Sequence, residues 1–116
     1  MIFDTSIVID MLNGKTPYKS GSISVITLLE TIRGLKDSER RLRLMEFLKR
    51  AFSIYWLDEE IILASSDLYN RIKSKGKRLG DSDVIIAATA LSKNEPLTTQ
   101  DRDFEQVKDI IDVQIN

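Results

Sequence analysis

Aspartates stand at three places where a short apolar run meets a polar joint. Asp4 follows Ile2 and Phe3, Asp81 and Asp83 precede the apolar stretch Val84 to Leu91, and Asp101 and Asp103 follow Leu97 to Thr99. Carboxylates gathered from distant parts of a chain repel one another, so some must hold protons or share a cation. Ligands that are all oxygen favour magnesium, manganese or calcium. Such an ion orients a water molecule, lowers its pKa and neutralises a phosphodiester, and two ions can flank the attacking and leaving oxygens. This chemistry suits a chain without histidine or cysteine. Ser-His-Asp hydrolysis and thiolate chemistry need one of those residues, and zinc sites are usually built on them.

Each acid also has a plain structural reading. Asp4 at a strand-to-helix joint can be a helix N-cap, a role that stabilises by about 1 kcal/mol, and Asp81 can cap the next helix and use its dipole. Asp101 and Asp103 suit a turn. Asp83 is harder to place this way, because the helix it opens has no polar face to carry it into water. Glu30 falls nearly opposite the stripe Val25, Leu28, Leu29 and Ile32, so periodicity alone turns it to solvent; only Ile26 suggests that its face also meets protein.

The elements that must position these acids follow from the hydrophobic pattern. A strand at Ile2 and Phe3 leads into a helix from Ser6 to Leu12, ended by Asn13-Gly14. After a loop with Pro17 and Gly21, helical spacing runs from Ser24 to Leu35, closing near Gly34. Asp37 or Ser38 caps a third helix to about Ala51, with Leu42, Met45, Leu48 and Phe52 inward. Ser53 to Leu57 reads as a strand, and Asp58 caps a fourth helix carrying Ile61, Ile62, Ala64, Leu68 and Ile72 to Gly76. The buried helix Val84 to Leu91, a strand at Leu97 to Thr99, the acidic loop Gln100 to Asp103 and a last strand near Val113 to Ile115 complete the chain. Such alternation implies a three-layer α/β domain with a mostly parallel sheet. Ligands of such sheets bind beyond the carboxyl ends of the strands, where Asp4 and Asp101 would both project.

At 116 residues, with 42% hydrophobic and 30% charged residues, one domain over 1–116 is expected. No apolar run approaches the roughly 18 residues of a membrane span, and the N-terminus has no signal-peptide character, so a cytoplasmic protein is the expectation. Net charge is −1, yet Arg40, Arg41, Arg43, Lys49, Arg50 and Arg71, Lys73, Lys75, Lys77, Arg78 hold ten of the 17 basic residues. Segregated charge can meet a polyanion even in a balanced chain. Each segment alone also reads as a solvated helix face. The stretch Lys73 to Arg78 stands just before Asp81, where it could grip a nucleic-acid backbone.

MIFDTSIVID resembles the D-T-S opening of PIN domains, and more closely that of the VapC toxins of toxin-antitoxin pairs. SVITLLETIRG resembles their second motif, a Glu followed four residues on by Gly, here Glu30 and Gly34. GDSDVIIAATA is similar to the third motif and LTTQDRDFEQV to the fourth, so the likeness covers the whole chain in order. The resemblance implies a PIN-like α/β/α fold and a magnesium- or manganese-dependent ribonuclease acting on RNA. It implies a metal-binding quartet of Asp4, Glu30, Asp83 and Asp101, with Asp81 and Asp103 as further ligands or supporting acids; Asp101 and Asp103 compete for the fourth place. It implies that Thr5, Ser6 and Thr99 orient acids or water, that the protein is a homodimer, and that a VapB-like antitoxin inhibits it.

Other classes fit less well. A magnesium-dependent phosphoacceptor receiver could use Asp58, but it needs an acidic pair after the first strand and a late lysine, where this chain has Asp4 alone and Thr98-Thr99-Gln100. Gly14-Lys15-Thr16 hints at a P-loop, but the glycine required earlier falls at Ile9. A non-catalytic interaction module that keeps the fold after losing activity would have no reason to keep repelling carboxylates together; a calcium-binding or purely structural α/β domain is the remaining alternative of that class.

Overall fold

Ile2 and Phe3 are neighbours on one strand, so their side chains leave it on opposite faces. In the computed structural model, which describes residues 1–116, Ile2 enters one apolar cluster and Phe3 the other. This strand, β1 (Ile2–Phe3), is the middle of a five-stranded sheet with β2 (Ser22–Ser24), β3 (Ser53–Tyr55), β4 (Leu97–Thr99) and β5 (Val113–Ile115). The order is β3-β2-β1-β4-β5, and every adjacent pair is parallel. Ile2 pairs with Ser22 on one side and Leu97 on the other.

Parallel pairing needs a crossover between strands, and the helices supply it. α1 (Thr5–Leu12), α2 (Val25–Ile32) and α3 (Ser38–Ala51) bury Ile7, Val8, Leu28 and Leu48 against Phe3, Ile23 and Phe52. α4 (Glu59–Ser74), α5 (Asp81–Lys93) and a 3-10 helix (Arg102–Val107) bury Leu68, Ile72, Ile86, Phe104 and Val107 against Ile2 and Leu97. The three-layer α/β/α expectation therefore holds, with a sheet that is wholly parallel. Because the chain leaves β1 toward β2 on one side and pairs with β4 on the other, the strand order reverses at β1. That reversal opens a crevice at the carboxyl ends of β1 and β4.

Four details differ from the sequence pattern. Ser22–Ser24 is a strand where a loop was expected, because Ser-Ile-Ser carries too little apolar signal; its pairing to both β1 and β3 supplies what the side chains do not. Gly21 makes this approach possible, since a Cβ there would lie 2.5 Å from the Phe3 ring and 2.9 Å from the Met1 carbonyl. Leu29, Leu42 and Ile62, read as core, are 51%, 55% and 50% exposed. On α2 the buried face is Thr27, Leu28 and Thr31, and α2 lies across the two clusters, with Leu28 in one and Ile26 packed on the other. The acidic loop after β4 turns directly into the 3-10 helix.

Candidate metal centre

Asp4 is the N-cap of α1 and only 6% exposed. One of its oxygens, Oδ1, accepts the Thr5 N–H at 2.8 Å, and the other, Oδ2, accepts the Thr99 hydroxyl at 2.7 Å. The cap reading was thus correct, but a cap bond would not need a second donor from β4. Thr99 Oγ1 in turn accepts the Asp101 N–H at 2.9 Å, and Asp101 Oδ1 accepts the Asp103 N–H at 2.9 Å. A continuous run of bonds therefore ties β1 to the acidic turn after β4.

Glu30 joins from the other side. Its Oε1 accepts the Thr5 hydroxyl at 2.7 Å, and that hydroxyl lies 3.1 Å from the buried Thr27 hydroxyl. Its Oε2 stands 3.7 Å from the guanidinium of Arg33, which is 64% exposed. The side chain is 21% exposed, so the solvent-facing orientation that periodicity gave is corrected. Thr27 and Thr31 bury hydroxyls on this helix, Thr31 Oγ1 donating to the Thr27 carbonyl at 2.7 Å, and their burial turns α2 so that Glu30 meets α1.

Asp83 sits in the first turn of α5, half-buried. Burial first, and then Asp4, Asp101, Glu30 and Asp103 in that order, push its carboxyl from 3.8 up to about 6. Burial likewise raises Asp4 above its ordinary value, against the bonds from Thr99 and Thr5 that lower it, and Glu30 and Asp101 add to the rise. Asp4, Glu30, Asp101 and the exposed Asp103 thus all act on the Asp83 carboxyl, and Glu30 and Asp101 act on Asp4 as well.

The remaining expected residues fall elsewhere. Asp81 is exposed and forms no cap bond; Gly80 holds the N-cap position of α5. Ser6 Oγ is enclosed without a hydrogen-bond partner, in contrast to Thr5 and Thr99. Asp58 caps α4, accepting the Ile61 N–H at 2.8 Å, and pairs with Lys93 at 2.9 Å, so each of its oxygens has a structural partner.

In the basic stretch, Lys75 is held by Asp109 at 2.6 Å. The Arg78 N–H donates to Gln106 Oε1 at 3.1 Å, while Gln106 Nε2 donates to the Asp103 carbonyl at 3.0 Å. Gln106, Thr27 and Arg33 were not singled out from sequence. Paired threonines four residues apart on a helix were the available signal for Thr27; Gln106 and Arg33 carried none.

The donor set consists of carboxylate and hydroxyl oxygens, which suits a hard divalent cation. As the side chains stand, no three acids close around a point as a ready ligand cage. The fit is in donor type and in charge: several acids act on Asp83 and raise its carboxyl, and a cation among them would relieve that repulsion. The crevice is shallow and none of the larger surface hollows includes these acids. The largest, about 680 Å³, lies along β2 and β3 beside Gly21, Ser53 and Trp56. A hollow of about 300 Å³ bounded by Ile72, Lys73, Lys77, Arg78 and Val84 adjoins the start of α5.

Fold and cluster together define a small, wholly parallel α/β domain with an acidic crevice at its switch point. The family model described as PIN domain matches residues 1–110, and the chain belongs to the PIN domain family. It is similar to ribonuclease VapC1 of Methanocaldococcus jannaschii, with 36% identity over 112 residues covering 94% of this chain and 82% of the relative. It is also similar to ribonuclease VapC1 of Haemophilus influenzae strain R2866, 32% identical over 92 residues, covering 76% and 69%. Among solved structures it matches VapBC-1 from nontypeable Haemophilus influenzae at TM-score 0.80 and 27% identity, covering 99% of this chain and 98% of that one. The DNA-bound VapBC of Salmonella typhimurium has the same fold, at TM-score 0.84 and 24% identity, with 98% and 96% coverage.

Proposed function

We propose that this chain is an endoribonuclease of the VapC type, the toxin half of a toxin-antitoxin pair, which hydrolyses RNA phosphodiesters with magnesium or manganese. The observation that carries the reading is the run of hydrogen bonds that joins Asp4 and Glu30 through Thr5, and Asp4 and Asp101 through Thr99, with burial and acids from three other segments raising the Asp83 carboxyl as well. A fold rarely gathers like charges without a partner for them, and relatives named as ribonucleases supply the reaction class.

Asp4, Glu30, Asp83 and Asp101 would hold the metal, with Asp103 close enough to share or exchange with Asp101. The bound ion supplies a water of lowered pKa and neutralises charge building on the phosphate. The chain's own residues prepare this. Thr99 and the Thr5 N–H fix one lone pair on each Asp4 oxygen, leaving the others free in the crevice. The Thr5 hydroxyl aims Glu30. Such supporting bonds typically matter by 10- to 100-fold in metal affinity, as an order of magnitude.

RNA would reach the acids along the basic stretch. Gln106 links the backbone there to the segment of Asp103, so Lys77 and Arg78, with Lys73 at the edge, stand near the crevice as phosphate contacts. Lys75 serves more to fasten the stretch to Asp109. The solved relatives are VapBC assemblies, which supports a VapB-like antitoxin as the partner of a cytoplasmic homodimer. No helix is long and apolar enough to cross a membrane.

The test is cleavage of a mixed RNA pool by purified protein with magnesium, with manganese and with EDTA. Asp4→Asn should abolish cleavage while preserving the far-UV spectrum. Cleavage that persists in EDTA, or in that variant, overturns the reading.

A further inference from the structure

At the end of α4 the chain folds back over its own last turn. Gly76, at φ +69°, takes the left-handed conformation that stops the helix. Its N–H donates to the Lys73 carbonyl at 3.0 Å, and the Lys77 N–H donates to the Ile72 carbonyl at 3.1 Å, which closes the turn. The reversal sets Lys77, Arg78 and Leu79 beside Tyr69 and Lys73, and the hollow of about 300 Å³ lies between them and the start of α5.

The lining of this hollow divides by chemistry. Ile72, Leu79 and Val84 give it an apolar, buried floor. Tyr69 borders it with its side chain 46% exposed; the ring belongs to neither of the chain's aromatic pairs and to no cation–π contact, the one such contact being Lys93 with Tyr55. Lys73, Lys77 and Arg78 complete the border with no acid among them, and the ion pair in this stretch takes Lys75 instead. An unused aromatic ring over an apolar floor, ringed by unpaired cations, complements a flat aromatic group that carries negative charge. At the lower bound of the roughly 300–1,000 Å³ usual for ligand sites, the hollow has room for a single such group. Val84 directly follows Asp83, so it opens beside the acidic crevice.

We propose that this hollow is a nucleotide subsite, in which one RNA base stacks on Tyr69 above Ile72, Leu79 and Val84 while the neighbouring phosphates meet Lys73, Lys77 and Arg78. It deepens the functional reading and rests on its RNA substrate. Phosphate contacts alone would hold any polyanion in place. Tyr69 adds a demand for a base turned out of its stack, beside the bond that is cut.

The test compares two single strands of equal length and charge, an oligouridylate and its abasic counterpart, bound to the whole chain in EDTA, so that affinity is read apart from cleavage. The parent should bind the oligouridylate about tenfold more tightly, the lower part of the range for one stacked base. Tyr69→Leu should erase that preference and Tyr69→Phe should keep it, whereas a merely structural Tyr69 would leave the ratio unchanged. Lys73→Gln should weaken both strands alike and flatten their salt dependence by about one in logarithmic slope. Circular dichroism checks that each variant folds. A parent that binds both strands equally, or a Tyr69→Leu variant that still prefers the strand with bases, overturns the proposal. The two readings fail separately: RNA bound with a base preference but left uncut by manganese sinks the nuclease and supports the subsite, while RNA that is cut without any base preference sinks the subsite alone.

Discussion

Replacing Asp83 by asparagine should stabilise the metal-free protein, and by an amount that depends on pH. The native carboxyl binds its proton more tightly than an unfolded one, since burial and four acids raise it from 3.8 to about 6. Native Asp83 therefore favours folding fully below about pH 3.8, and that contribution is lost as the pH rises through about 6. Above this window the charged side chain is a standing destabilisation. A rise from 3.8 to about 6 sets its upper limit near 3 kcal/mol. Partial contact with water reduces this to about 1–2 kcal/mol.

Asparagine keeps the shape and drops the charge, so in EDTA at about pH 7.5 the variant should melt roughly 4–8 °C above the parent. The gain should shrink toward zero by about pH 4. Manganese should reverse the order, because a ligand that binds only the native state stabilises the parent, which retains all its acids. Thermal melts with and without EDTA across this pH range check the chain of reasoning. A variant less stable than the parent at about pH 7.5 in EDTA, or a gain that does not vary with pH, would refute it.

Other outcomes follow from individual contacts. Thr5→Val removes the hydroxyl that aims Glu30 and should weaken manganese affinity by about tenfold, read by calorimetry, with little change in fold. Lys77→Ala with Arg78→Ala should lower RNA affinity in EDTA and flatten its dependence on salt by about two in logarithmic slope, measured by filter binding. Gly21→Ala forces a Cβ to within 2.5 Å of the Phe3 ring and should cost about 1–3 kcal/mol in urea unfolding.

Much of the crevice was legible because the chain marks it at element joints. Asp4, Asp83 and Asp101 each sit where a strand ends or a helix begins, and in a parallel sheet those joints face one end. The strand at Ser22–Ser24 was not legible, since its stability comes from hydrogen bonds to β1 and β3 and not from apolar side chains. Periodicity alone turned Glu30 to solvent for a related reason: it counts apolar residues, whereas α2 buries Thr27 and Thr31. The exposed Leu29, Leu42 and Ile62 show the converse, an apolar residue at helical spacing that faces water. The ties through Gln106 join positions 28 residues apart, and no local pattern announces such a pair.

If acids from four segments share one cation, manganese binding followed by electron paramagnetic resonance reads it directly, without RNA. The parent chain should take up manganese, and Asp4→Asn, Glu30→Gln, Asp83→Asn and Asp101→Asn should each reduce that uptake, while Asp58→Asn should not. A parent that leaves manganese free in solution, or binding untouched by loss of Asp4 and Asp83, would contradict it.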